Sequence, residues 1–91
     1  MDAILQVLEK LLVKTNESKI SWKTTVNESA YAAGLGNTSA VITKYRTSTL
    51  RDRYVFQILD EAGVELESVN SRQTENEEMF QDLYDKARRF A

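Results

Sequence analysis

The chain has 91 residues, with 12 basic and 14 acidic side chains for a net charge of −2. It has neither histidine nor cysteine, so disulfides, thiol chemistry, zinc ribbons and the commonest general base are excluded. Its length suits one domain, residues 1–91, and its 42% apolar content fits a folded protein with a modest core rather than a disordered one.

The opening stretch MDAILQVLEKLLVK reads as a helix over residues 2–14. Asp2 suits its first turn, and Ile4, Leu5, Leu8, Leu11 and Leu12 recur at spacings of three and four, which builds one apolar stripe. Gln6, Glu9 and Lys10 interrupt the apolar run, and there is no basic leader or small-residue cleavage site. The segment therefore predicts neither a secretory signal nor a membrane span, and a cytoplasmic location is the default expectation. Thr15 to Ser18 is a polar stop.

Residues 19–26, KISWKTTV, alternate as a strand with Ile20, Trp22 and Thr24 on one face. On such a strand Trp22 is better read as a core anchor than as a ligand platform. After Asn27-Glu28-Ser29, residues 30–36 put Tyr31, Ala33 and Leu35 on one face and Ala30, Ala32 and Gly34 on the other. Gly34-Leu35-Gly36 lacks the third glycine, the lysine and the following helix of a phosphate loop. A strand end entering a turn is the better reading, with Gly36 suited to positive φ. Residues 39–46, SAVITKYR, form the third strand, where Val41 and Ile42 are both apolar and leave the face ambiguous.

A basic segment follows, KYRTSTLRDRY, residues 44–54. Lys44, Arg46, Arg51 and Arg53 would cluster at one end of the sheet if the loop closes a hairpin, with Tyr45 and Tyr54 to stack and Thr47, Ser48 and Thr49 as hydroxyl donors. That set suits phosphate or an anionic partner. The competing reading is a solvated hairpin tip, whose charge Asp52 dilutes. The fourth strand covers residues 53–59, with Tyr54, Phe56 and Ile58 opposed to Val55, Gln57 and Leu59. Asp60 to Gly63 makes a hairpin turn, and residues 64–69 return as the fifth strand. Asp60, Glu61, Glu65 and Glu67 could in principle pair for acid–base work or hold a cation, but a solvated turn with charged strand edges is the better reading. Thr74 to Glu77 forms a capping box that starts a helix running to about Phe90. Met79, Phe80, Leu83, Tyr84, Ala87 and Phe90 make its apolar stripe, with acidic residues first and Lys86, Arg88 and Arg89 last, the order the helix dipole favours.

The order helix, antiparallel meander of four to five strands, helix predicts a two-layer α+β domain with both helices on one sheet face. Val55, Leu59 and one of Val41 or Ile42, here Ile42, together with Ala30 and Ala32, are then candidates for an exposed apolar interface. Scattered apolar surface residues are the plainer alternative.

The residues LEKLLVKTNESKISWKTT, YVFQILDEAGVELESV and MFQDLYDKARRFA resemble short bacterial and prophage-type proteins of uncharacterised function, which share an opening helix, a Lys-Ile-x-Trp strand, a YxxxILDExG hairpin and a closing LYxxARR helix. The resemblance spans most of the chain except the central basic loop. It implies the fold and a mobile-element setting, and it carries no catalytic residue. The expectation is thus a small non-enzymatic interaction protein, without cofactor or bound metal. It would act through an open sheet face on a protein partner or on itself as a homo-oligomer. The alternative is nucleic-acid or nucleotide-phosphate binding through residues 44–54.

Overall fold

The structure is a computed structural model, and its described residues are 3–46, 52–73 and 77–91. Helix α1, Ala3–Asn16, leads into five strands: β1 Trp22–Thr24, β2 Ala30–Gly34, β3 Ser39–Arg46, β4 Asp52–Leu59 and β5 Glu65–Asn70. A short 3₁₀ turn, Ser71–Gln73, precedes helix α2, Glu77–Phe90. The strands form one antiparallel sheet in chain order. Asp2, Arg51, the hydroxyl residues Thr47 to Thr49 and most of the capping box, Thr74 to Asn76, lie outside the described residues.

Alternation decides the layering. Trp22, Ala33, Ala40, Ile42, Tyr54, Phe56 and Val69 are paired across neighbouring strands on one face and are all at most 5% exposed. Against them lie Ile4, Leu8 and Leu11 of α1 and Phe80, Leu83, Tyr84 and Ala87 of α2. Both helices therefore cover the same face: α2 packs on α1 and on β1 through β4, and α1 also reaches β5. The periodic apolar stripes of both helices are what this burial requires.

The ends of the elements have local causes. At the end of α1, Ser18 takes φ +59, the amide of Ser18 donates to the carbonyl of Thr15, and that of Lys19 donates to the carbonyl of Lys14. This is the paired bonding of a Schellman cap, built here on serine instead of glycine. The β4–β5 hairpin closes on Asp60. Its carboxylate accepts from the amides of Ala62 and Val64, both at 2.9 Å, while Gly63 supplies φ +82. A bulge separates the pairs Ile58–Glu67 and Leu59–Glu65, leaving Leu66 unpaired and 59% exposed. No helix among the described residues is long and apolar enough to cross a membrane.

Candidate functional site

Neither helix covers the other sheet face, yet Ala30 and Thr43, paired on it, are buried, so the expectation of an exposed Ala30 is corrected. Val41, Val55 and Leu59 stand on this face, each partly exposed. Val41 is paired with Gln57, so Val55 and Leu59 are its diagonal neighbours on β4, close enough for side chains to form one patch. Of the ambiguous pair in β3, Ile42 faces the helices and is fully buried. It is a core residue, so the expectation of an exposed Ile42 is corrected, and of the two it is Val41 that stands on the open face. The reason is the pairing of Ile42 with Phe56 under α2, which no count of apolar residues along β3 alone can reveal.

At the loop end of the same face, the Arg53 guanidinium lies 5.4 Å from the centre of the Tyr45 ring. Its Nε is buried without a hydrogen-bond partner among the described residues. Tyr45 itself is 42% exposed. An arginine stacked on an exposed tyrosine ring belongs to the residue types enriched at protein interfaces.

The described cations of the basic segment, Lys44, Arg46 and Arg53, do not share one face. The β3–β4 register pairs Lys44 with Tyr54, Tyr45 with Arg53 and Arg46 with Asp52. Lys44 and Arg46 therefore project on the helix side, and Arg53 on the open side with Tyr45. Tyr54 is 4% exposed and packs its ring 5.5 Å from that of Tyr84, so it is not available to stack on a ligand. Burial, reinforced by the nearby Asp52 carboxylate, pushes its phenol up to about 12. Lys44 Nζ sits 3.4 Å from Asp52 Oδ2 and 5.7 Å from the centre of the Tyr84 ring.

The other candidates take structural roles. Trp22 is 3% exposed, and its indole N–H donates to Thr15 Oγ1 at 3.0 Å. Leu35 donates to the carbonyl of Thr38 at 2.8 Å and Gly36 has φ +91, which makes the glycine pair a tight β2–β3 turn. In the acidic hairpin, the Asp60 carboxylate is used by the turn and Glu65 accepts from Gln57 Nε2 at 2.8 Å. Among the described residues no group of three or more acidic side chains could hold a metal ion. Comparison with protein-family models, with curated proteins and with solved structures finds no match.

Proposed function

We propose that this chain is a small non-enzymatic interaction protein that works through the open face of its sheet, with a second copy of itself as partner. The observation that carries this reading is the partly exposed patch of Val41, Val55 and Leu59, bordered by the Tyr45–Arg53 stack, on the face neither helix covers. Both sheet edges discourage the alternative of edge pairing. β1 has only three residues with Lys23 at its centre, and β5 carries Glu65 and Glu67. Charges on short edge strands oppose addition of another strand. The open face, where Val41, Val55 and Leu59 surround Gln57, is the sheet surface that remains. A cytoplasmic protein of phage or mobile-element type is the setting that goes with this proposal, and it rests on the sequence resemblance.

The test is sedimentation equilibrium over a concentration series. The parent chain is expected to dimerise, and Leu59→Glu, which places two like charges near each other in a face-to-face dimer, should raise the dissociation constant more than about tenfold. Because Leu59 is partly exposed, circular dichroism should show the fold intact. A parent chain that stays monomeric at the highest concentration, or a Leu59→Glu chain that assembles as before, overturns the reading.

A further inference from the structure

On the helix side of the sheet, the same hairpin borders a depression of about 430 Å³ lined by Ser29, Lys44, Arg46 and Tyr84. Each element contributes for a definite reason. The amide of Lys44 donates to the carbonyl of Ser29 at 2.9 Å, which carries the β2–β3 pairing one step past Ala30 and Thr43 and sets Ser29 beside Lys44. Alternation puts Arg46 on the face of Lys44. From α2, Tyr84 forms the floor. It is 5% exposed, and its ring is held between Tyr31 at 5.4 Å and Tyr54 at 5.5 Å.

The polar groups left over all point to one ligand chemistry. Ser29 spends its amide on Asn27 Oδ1 and its carbonyl on Lys44, while its hydroxyl has no partner among the described residues. Arg46 is exposed and makes no ion pair among them. Lys44 is positioned by the Tyr84 ring and shares its charge with Asp52, which does not line the depression. The lining thus offers a guanidinium fork, a hydroxyl and an ammonium that an anion would draw away from Asp52, the cross-strand partner of Arg46 on the same face. Burial raises the Tyr84 phenol above its ordinary 10, so the floor is uncharged near neutral pH.

We infer that this corner between β2, β3 and α2 binds the phosphate group of a small phosphate monoester, with Arg46 as the fork, Lys44 as the point charge and Ser29 as a hydroxyl donor. A fork and an ammonium together match a dianion better than a single carboxylate. The volume exceeds that of a phosphate group and falls in the range of small-molecule sites, leaving room for an organic part. A nucleic-acid strand fits less well, because it needs a continuous cationic track and Arg53 lies on the opposite face. The site is independent of the open-face patch, since Leu59→Glu leaves all four lining residues untouched.

The experiment is a chemical-shift titration of the isotope-labelled chain with inorganic phosphate and with phenyl phosphate, at ionic strength held constant with chloride. Saturable shifts are expected at the amides of Ser29, Lys44 and Arg46, with phenyl phosphate binding more tightly than phosphate. Arg46→Gln, an exposed substitution that costs the fold nothing, should weaken binding by about tenfold, and Lys44→Met should act in the same direction. Absence of saturation, equal shifts with acetate, or unchanged affinity in Arg46→Gln overturns the assignment. So does an oligonucleotide that binds more tightly than phenyl phosphate and shifts Tyr45 and Arg53.

Discussion

Thr15 satisfies two buried polar groups at once. Its hydroxyl donates to the carbonyl of Leu11 at 2.7 Å and accepts from the Trp22 indole at 3.0 Å, and both side chains are at most 3% exposed. Thr15→Val keeps the shape but leaves the indole N–H without an acceptor, which costs about 1–3 kcal/mol. Urea denaturation followed by circular dichroism should show that loss. Placing Trp22→Phe in the same background removes the orphaned donor, so the double variant should lose less than the two singles added together. Additive losses would mean that packing, not the hydrogen bond, is the cause. Tyr54 makes a second residue-scale prediction. Its phenol is raised from 10 to about 12 in the folded chain, so between these values the folded state holds a proton that the unfolded state has released. This group leaves stability unchanged below pH 10 and lowers it as pH rises toward 12, by up to about 3 kcal/mol, and Tyr84, whose phenol burial also raises, adds to the same slope. Tyr54→Phe should flatten this slope, measured by denaturation at a series of alkaline pH values. A variant that loses stability with pH as steeply as the parent would place the cause elsewhere.

At the scale of elements, three turns among the described residues take a left-handed residue, and glycine fills two of them, Gly36 and Gly63, but not the third. Ser18 closes α1 at φ +59, whereas Gly63 closes the β4–β5 hairpin at φ +82 with open space where a Cβ would stand. The two substitutions should therefore have opposite signs. Ser18→Gly relieves a strained position and is expected to stabilise by about 0.5–1 kcal/mol, while Gly63→Ala introduces strain and is expected to destabilise by about 1 kcal/mol. Thermal melts of both chains test this, and a common sign would refute the cap assignment. Most element boundaries were legible because their signals are local: the stripe of α1, the alternation of β4, Gly36 and Gly63 at turns. The serine cap was not, because Thr15 to Ser18 announces a stop by polarity without saying which residue turns left-handed. The end of β1 was drawn too long for a related reason. Alternation continues through Val26, but Thr25 Oγ1 accepts from the amide of Asn27 and so bends the chain before the strand can continue.

Over the whole molecule, what could not be read from the sequence is what pairing and docking decide. The cations of the basic segment were visible, but their division between two faces depends on the β3–β4 register. Ser29 and Tyr84 were unremarkable in sequence because they join Lys44 only through the β2–β3 pairing and the seating of α2. Yet the topology itself is simple: each strand pairs with its neighbour in the chain, and the distant contacts are those of α1 with α2 and β5 and of α2 with β1 through β4. Local pairing of this kind favours rapid folding, since little loop-closure entropy is spent before contacts form. The chain also contains no proline, which removes the isomerisation that commonly adds a phase of tens of seconds. Refolding followed through Trp22, which reports the docking of α1 on β1, is therefore expected to be a single exponential completed well before that time. The proposed association through the open face would be second order, so any later phase it causes should accelerate in proportion to protein concentration and vanish in Leu59→Glu. A slow phase that is independent of concentration would require a folding trap that this topology does not account for.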